Sequence, residues 1–346
     1  MDILDRHSKI LAHLSFDTWK SSSEVLNNSL FKISDATFKR DLRYLLDLGL
    51  IEKNGFGRAT KYRIKKSSKF LTPINGVEYI SAPQDERGTK IIFNFEVFQE
   101  LRKVEIFSRS EKLMFGRLLK KYQKKISELS PALFKREFER VTIDLSWKSS
   151  VIEGNTYSLL ETETLLKDGI FALGKSKEEA VMLLNHKKAI DFIRKESSEF
   201  KEISVAKIEY LHSILSDELG ISRNIRKRSV RITGTNYFPI DNEFQIREAL
   251  EKLCELINAI EYPFAKAFLV LVLVNYIQPF EDGNKRTARI LSNAILLAYK
   301  SFPLSFRSVD VTEYKIALLL FYEINNLSLF KKLFIVQSDF AANEYF

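Results

Sequence analysis

The sequence predicts a mainly α protein, a helical bundle with a small β-hairpin and an N-terminal α+β domain. Three observations support this. The segment from Phe264 to Tyr276 is almost wholly apolar and long enough for about three helical turns buried on nearly every side. Helical patterns dominate from Glu111 to the C-terminus. Residues 51–64 alternate apolar and polar side chains about a glycine-rich tip, which is typical of a hairpin.

Length and composition predict a globular protein of two or three domains. The 346 residues are 45% hydrophobic, enough for a packed core. No uncharged apolar segment reaches transmembrane length, and the N-terminus lacks the pattern of a secretion signal, so we expect a cytoplasmic protein without membrane contact. The single cysteine, Cys254, cannot form an intrachain disulfide, and its helical setting favours a buried residue over a nucleophile.

The N-terminal 66 residues contain the pattern of three helices followed by a hairpin. Helices are predicted from Leu4 to Leu14 and from Ser22 to Asn28, and a third begins after Ser34 as its N-cap and stops at Gly49. The third helix turns four apolar side chains inward, namely Phe38, Leu42, Leu45 and Leu46. This order of elements resembles winged-helix DNA-binding domains, with the hairpin as the wing.

Basic residues cluster on the two elements that would touch a duplex in such a domain. They are Lys39, Arg40 and Arg43 on the third helix and Arg58, Lys61 and Arg63 on the wing. The resemblance implies that they meet phosphates and base edges of duplex DNA. The net charge of +9 favours a polyanionic partner. The alternative is a protein-docking module whose basic side chains are merely solvated.

Residues 67–129 are predicted to form a linker and helical connector. The stretch from Lys65 to Thr89 is irregular, the segment from Ile91 fits either a strand or a helix start, and a basic helix is expected from Glu111 to Leu129. A core follows at residues 130–300, with further helices of the same bundle at 301–346. The sequence contains no glycine-rich phosphate loop of the Walker or Rossmann kind, which argues against an ordinary nucleotide-binding α/β domain.

The stretch from Asn275 to Arg289 carries the strongest chemical pattern. Pro279 ends the apolar helix, and Asp282, Gly283 and Asn284 form a turn and cap before a helix predicted from Lys285 to Lys300. The unpaired N–H groups at the start of that helix make an anion site. Arg286 and Arg289 lie beside it on one face of the first turn.

These residues resemble the signature of the Fic family, His-Pro-Phe-x-Asp/Glu-Gly-Asn-Gly/Lys-Arg-x-x-Arg, at every defining position but the first. The matching residues are Pro279, Phe280, Asp282, Gly283, Asn284, Lys285, Arg286 and Arg289. The resemblance implies transfer of AMP from ATP to a protein hydroxyl. It also implies that Asp282 holds Mg²⁺, that Gly283, Asn284 and Lys285 help to bind the nucleotide, and that Arg286 and Arg289 bind its outer phosphates.

Gln278 stands where the family has its catalytic histidine. That histidine accepts the proton of the target hydroxyl, and an amide cannot do so near neutral pH. The other histidines, His7, His13, His186 and His212, have no pattern that marks a substitute base or a metal site. The alternative for the whole stretch is an ordinary helix–turn–helix corner with a solvated basic end.

Two further segments resemble parts of Fic proteins. Ser149, Glu153 and Gly154 fit the inhibitory motif Ser/Thr-x-x-x-Glu-Gly/Asn, on a helix expected near residues 145–155. The resemblance implies that Glu153 pairs with Arg289 and removes the guanidinium that would orient the γ-phosphate. Alternatively, Glu153 is an exposed glutamate of an ordinary helix.

The second segment, Ser229 to Ile240, is predicted to be a β-hairpin with Gly234 at its turn. It resembles the flap that pairs with the target peptide, which implies docking by Val230, Arg231, Ile232, Thr233 and Gly234. A hairpin without a partner is the alternative. We refer below to residues 229–240 as the flap.

Three functions follow as hypotheses. The first is an autoinhibited adenylyltransferase scaffold impaired by Gln278, and the second is a non-enzymatic DNA-binding regulator with a nucleotide-sensing core. The third is a Doc-like kinase, because Lys285 also occurs in Doc-like relatives. The target protein is unknown, and the sequence leaves a homodimer open.

Overall fold

The computed structural model of the chain describes residues 5–15, 18–26, 33–87 and 91–346. As predicted, the structure is mainly helical. Its strands are short and form one three-stranded and one two-stranded sheet in the described ranges.

The N-terminal region combines three helices with an antiparallel sheet. The helices are α1 (Asp5–His13), α2 (Ser22–Leu26) and α3 (Asp35–Asp47), and the strands are β1 (Lys20–Ser21), β2 (Ile51–Asn54) and β3 (Lys61–Ile64). The sheet order is β1-β3-β2, so β3 is central. The predicted extension of α2 to Asn28 and the predicted start of α1 at Leu4 lie outside the described residues.

Local chemistry explains where α3 begins and how the β2–β3 turn forms. The Ser34 side chain accepts a hydrogen bond from the Thr37 N–H at 3.2 Å, as an N-cap does. Inside the region, Phe38, Leu42 and Leu45 are buried as expected, and Leu46 is half-buried. Gly55 in the turn has φ +85°, and a Cβ there would lie 2.6 Å from a main-chain oxygen, so only glycine fits.

The connector contains both structures that the sequence left open after Ile91. The two-residue strand β4 (Ile91–Ile92) is followed by α5 (Val97–Leu101). The short α4 (Gly76–Ser81) precedes β4, and α6 (Arg109–Glu128) covers the predicted basic helix. Helix α6 packs against the last helix of the chain, and α4 packs against the helix before it.

The remaining helices include α12, which is buried along its whole length as predicted. They are α7 (Pro131–Ile152), α8 (Leu159–Asp168), α9 (Lys177–Lys195), α10 (Val205–Leu215), α11 (Glu243–Ala259), α12 (Pro263–Ile277), α13 (Asn284–Ala298), α14 (Val311–Ile324) and α15 (Ser328–Glu344). Helices α11, α13 and α14 pack on α12, and α7, α9 and α10 pack on α13. The turn between α12 and α13 is therefore fixed by the most buried part of the bundle.

The apolar core is continuous from the N-terminal region to the C-terminus. One cluster of contacting buried side chains runs from Ile10 to Tyr345, and a small second cluster joins α7, α8 and α9. The predicted domain limits at residues 66, 129 and 300 therefore mark no break in this core. No helix in the described part of the chain is both long and apolar enough to span a membrane.

The flap differs from the predicted hairpin. Its turn lies at Thr233 and Gly234, where Gly234 has φ +84°, but the described strands form no ladder between its two arms. Instead β5 (Tyr237–Phe238) pairs in parallel with β4. The prediction of a paired hairpin was wrong because the second arm packs into the core instead of pairing with the first. Its buried Tyr237 donates a hydroxyl hydrogen bond to the Tyr276 carbonyl at 2.7 Å.

Candidate functional site

A cavity of about 470 Å³ opens where the flap faces the α12–α13 turn. Its lining combines the end of α7 with the first arm of the flap, the turn before α13 and one face of α14. Polar lining residues include Glu153, Thr233, Asp282, Asn284 and Lys285. The cavity thus brings together three segments that the sequence singled out separately.

The turn itself is held by the side chain of Asn284. Its Oδ1 accepts the Phe280 N–H at 2.9 Å, and its Nδ2 donates to the Phe280 carbonyl at 2.8 Å and to Gln278 Oε1 at 3.0 Å. Gly283 lies at φ +78°, and a Cβ there would sit 3.3 Å from the Arg286 guanidinium. Helix α13 therefore begins with Gly283 and Asn284 closely packed and its first N–H groups beside the cavity.

Gln278 is fixed by hydrogen bonds on both ends of its amide. The residue caps α12 in a left-handed conformation, φ +51°. Its Nε2 donates to the Asn275 carbonyl at 2.7 Å and lies 3.5 Å from the Tyr322 hydroxyl, and its Oε1 accepts from Asn284. The group at the expected base position is thus a neutral, well-ordered amide that offers no proton acceptor of useful basicity.

Arg286 is buried at the start of α13 and points its guanidinium toward main-chain oxygen and one carboxylate. Nη1 donates to the Leu215 carbonyl at 3.2 Å, and Nη2 lies 3.3 Å from Asp282 Oδ2. Its Nε has no hydrogen-bond partner in the described part of the chain. Burial lowers the pKa of Arg286, although the guanidinium stays charged.

Arg289 is fully buried and engages the end of α7. Its Nε donates to Ser149 Oγ at 2.7 Å and its Nη2 donates to the Ser149 carbonyl at 2.8 Å. The same Nη2 lies 3.0 Å from Glu153 Oε1, and Nη1 is 3.4 Å from the Tyr314 hydroxyl. The contact between Arg289 and Glu153 that the motifs implied is present in the structure.

Glu153 is held by a second cation as well. It follows α7 directly, and its Oε2 accepts from Lys285 Nζ at 3.1 Å. Burial raises the pKa of Glu153, but the charges of Arg289 and Lys285 outweigh burial and leave the pKa below its ordinary value. Each carboxylate oxygen therefore has its own cation, and Glu153 is ionised at neutral pH.

The Asp282 carboxylate has the chemistry of a magnesium ligand whose other ligands would come from phosphate and water. Asp282 exposes 60% of its side chain, with Oδ1 accepting the Gly283 N–H at 2.6 Å. The described residues contain no group of three or more metal-ligating side chains. Mg²⁺ bound through one or two carboxylates plus substrate phosphates needs no such group.

Two buried residues near the turn gave no signal in the sequence. The His212 ring lies parallel to Phe280, 3.6 Å between centroids, and its Nε2 is 3.0 Å from the Asp282 carbonyl. Burial lowers the pKa of His212 to about 4, so the ring is neutral. Arg226, also buried, reaches the Gln278 carbonyl from beneath the flap. Neither residue belongs to a local motif, and only the fold brings them to the turn.

The flap residues divide between two sides of the loop. Residues 230–233 line the cavity, and the Arg231 guanidinium lies 3.8 Å from the Phe238 ring centroid. The Gly234 carbonyl instead accepts from Arg87 Nη2 at 2.7 Å, outside the cavity lining. Of the five predicted docking residues, Gly234 is therefore engaged by the connector rather than facing the cavity.

The basic side chains of the N-terminal region differ in their solvent exposure and in their pairing. Lys39, Arg40 and Arg43 are exposed on α3, with Lys39 Nζ 2.7 Å from Asp35 Oδ2. Lys61 is exposed, whereas Arg63 is half-buried. Arg63 pairs with Glu52 at 2.6 Å and stacks on Trp19 at 4.4 Å. The side chain of Arg58 lies outside the described residues.

Comparisons with known sequences find a family model and relatives that match the part of the chain around this site. Residues 202–296, which include the flap and the α12–α13 turn, match the model of the Fic/DOC family. The chain is 28% identical over 151 residues to the protein adenylyltransferase fic-1 of Caenorhabditis elegans, covering 42% of this chain and 30% of that protein. It is 28% identical over 184 residues to the protein adenylyltransferase Fic of Nematostella vectensis, covering 52% and 43% respectively. The matches thus span less than half the length of these relatives.

Solved structures share the fold. A Fic domain containing signaling protein from Bacteroides thetaiotaomicron superimposes with a TM-score of 0.55 at 23% identity, over 66% of this chain and 95% of that one. Fic-1 from Caenorhabditis elegans gives a TM-score of 0.57 at 23% identity, over 68% and 71%. At such identity the likeness establishes the fold alone.

Proposed function

We propose, from the premise that this chain carries a Fic-family domain, that its cavity binds ATP with Mg²⁺ in an adenylyltransferase site that Glu153 holds closed and Gln278 deprives of its base. The observation that carries the proposal is the pairing of Glu153 with both Arg289 and Lys285 at the cavity. A solvated surface glutamate would not be buried against two cations of helix α13. The names of the relatives support the reaction class.

The anion site has the chemistry that a nucleotide phosphate requires. The first N–H groups of α13 supply uncharged donors and the positive end of the helix dipole. Arg286 supplies a buried guanidinium whose Nε lacks a partner in the described residues, and Arg289 supplies a second one once Glu153 leaves. Planar guanidinium groups bind two phosphate oxygens at once, so these two arginines orient the outer phosphates.

Magnesium would be held by Asp282 together with phosphate oxygens. Mg²⁺ would neutralise charge on the phosphates during transfer. The exposed carboxylate of Asp282 faces the same cavity as Asn284 and Lys285. Asp282 also restrains Arg286, and thus links metal binding to the orientation of the first guanidinium.

The transfer step would use the flap and the base position. A target hydroxyl oxygen forms a bond to the α-phosphorus, the bond from that phosphorus to the bridging oxygen breaks, and pyrophosphate leaves. The hydroxyl proton must pass to a base, and the amide of Gln278 cannot accept it. We therefore expect nucleotide binding with little transfer.

The N-terminal region is the basis for a second function. Three exposed basic residues, Lys39, Arg40 and Arg43, share one helix preceding a β2–β3 wing, which favours a winged-helix domain that binds duplex DNA through phosphates. If the core only senses nucleotide, the protein is a non-enzymatic regulator. The fully bonded amide of Gln278 favours this alternative over a kinase.

Calorimetry with ATP and Mg²⁺ tests the proposal. We expect weak binding by the wild type and about tenfold tighter binding by Glu153→Gly, because a charge-assisted hydrogen bond of about 1.5 kcal/mol no longer competes. Glu163→Gln, which alters an exposed pair with Lys167, is the matched control and leaves affinity unchanged. Equal affinity in the wild type and Glu153→Gly would show that Glu153 does not block the site.

A further inference from the structure

A buried arginine beneath the flap joins three separate segments through main-chain carbonyls. Arg226 is only 1% exposed. Its Nε donates to the Gln278 carbonyl at 2.7 Å, its Nη1 to the Arg228 carbonyl at 2.8 Å, and its Nη2 to the Ile240 carbonyl. Its own N–H donates to the Pro279 carbonyl at 3.0 Å.

These partners lie at places that matter to the proposed reaction. Arg228 directly precedes the flap, and Ile240 is its last residue. Gln278 and Pro279 form the loop that carries the base position and leads to the anion site. One side chain therefore closes the base of the flap and fastens the closed flap to that loop.

The guanidinium of Arg226 is chemically suited to joining several main-chain carbonyls. Burial lowers the pKa of Arg226, and no carboxylate of the described residues hydrogen-bonds to its guanidinium. A buried charge without a hydrogen-bonded carboxylate is costly, so a packed apolar side chain would cost less free energy. A planar guanidinium presents donors on three nitrogen atoms in fixed directions, whereas a lysine ammonium carries all its donors on one rotatable nitrogen atom.

We infer that Arg226 is a positioning residue that sets the distance between a target hydroxyl docked on the flap and the atoms of the 278–284 loop. This inference rests on the proposed function. Residues 230–233 of the flap line the same cavity as Gln278 and Asn284, so the register between flap and loop decides where a docked hydroxyl meets the α-phosphate. A misplacement of about 1 Å typically costs about 100-fold in rate.

The first test does not need activity. Hydrogen–deuterium exchange is measured on the full-length wild type, Arg226→Lys and Lys331→Met. Lys331 is a matched control, because it is a nearly buried cation on α15 that bonds to Glu111 and the Ile106 carbonyl, away from the flap. We expect Arg226→Lys to speed exchange at the hydrogen-bonded amides of residues 226 and 237, with no change in α15. Lys331→Met should show the converse.

The second test measures the rate of AMP transfer by the double variant Gln278→His, Glu153→Gly, with and without Arg226→Lys. Adding Arg226→Lys should lower the rate of AMP transfer from α-labelled ATP about 100-fold and leave the Kd for ATP within about twofold, because the anion site is intact. A general loss of folding would instead reduce the ATP-binding fraction along with transfer. If the background variant transfers nothing, the proposed function fails, and the exchange experiment still decides on Arg226.

Two results would overturn the inference. One is exchange in Arg226→Lys that matches the wild type at the flap, and the other is a change spread evenly over the bundle. Should Arg226→Lys not fold, the wild type provides the remaining measurement. The Nε proton of Arg226, observed by NMR on ¹⁵N-arginine protein, should exchange slowly because it is buried and bonded, and rapid exchange would refute the positioning role.

Discussion

The two basic regions of the molecule use charge in opposite ways. In the core, Arg286 and Arg289 are 1% and 0% exposed and each is held by several oxygen atoms. On α3, Lys39, Arg40 and Arg43 are all exposed. The core thus holds cations whose positions are fixed by protein oxygen atoms, whereas α3 presents its cations to solvent.

This difference predicts that the two regions bind different anions and that their binding depends differently on salt. Fixed, desolvated guanidinium groups suit a small anion of defined shape, and bulk salt screens them little. Exposed cations suit a polyanion whose charges repeat, and salt screens them strongly.

The largest effect is expected when the core regains a base. We expect Gln278→His with Glu153→Gly to raise AMP transfer from α-labelled ATP by about 10²- to 10⁴-fold, the usual contribution of a positioned general base. Gln278→Ala with Glu153→Gly is the matched control and should stay silent. Labelling from γ-labelled ATP would indicate a kinase, and no labelling by a folded variant that binds ATP would favour the regulator.

The second experiment asks whether acid disturbs the core. Burial lowers the pKa of His212 from 6.5 to about 4, so the unfolded chain binds a proton in that interval and the folded chain does not. Stability should therefore fall as the pH drops from about 6.5 toward 4, by about 3 kcal/mol from this residue. Denaturant unfolding at several pH values should show a shallower dependence in His212→Gln. Identical slopes would mean that His212 is accessible to protons in the fold.

The third experiment addresses the exposed cations of α3. Replacing Lys39, Arg40 and Arg43 by glutamine should remove about three phosphate contacts and flatten the logarithmic salt dependence of DNA binding by about 3. Between 50 and 200 mM salt this corresponds to roughly 40-fold less loss of affinity. Arg63→Gln is the comparison variant, because Arg63 is engaged with Glu52 and Trp19. An unchanged slope in the triple variant would move the DNA contact away from α3.

The smallest effect concerns Lys285, which lies between the two types of cation. Its side chain is 30% exposed and paired with Glu153. In the Glu153→Gly background, Lys285→Met should weaken ATP binding by about fivefold or less, since the released ammonium is partly solvated. With Glu153 present the same change should matter less. Calorimetry on the four proteins of this cycle measures the coupling, and a zero coupling energy would separate Lys285 from the lock.

Local pattern was sufficient to predict which residues of the core lie together at the candidate site. The break at Pro279, the turn before Asn284 and the spacing of Arg286 and Arg289 all depend on neighbours in sequence, and the structure places them together beside a cavity. The motif around Glu153 likewise led to its contact with Arg289, although the pairing with Lys285 was not anticipated.

Contacts between segments that are distant in the sequence could not be predicted from local pattern. Alternation in residues 229–240 suggested a hairpin, but β5 pairs with β4, which lies far upstream in the chain. Arg226 sits in no periodic pattern, and its partners are carbonyls, which carry no sequence signal. Such features depend on tertiary packing, which overrides local preference.

The parallel pairing of β4 with β5 also affects which edges of the flap remain open. Ile91 and Ile92 occupy one edge of Tyr237 and Phe238, and Arg87 holds the Gly234 carbonyl. The first arm has no partner among the described strands, so in the proposed docking mode a target segment would pair there. An edge that is already paired is not available to a second copy of the chain, and the pairing with β4 thus reduces the scope for edge-to-edge aggregation through the flap.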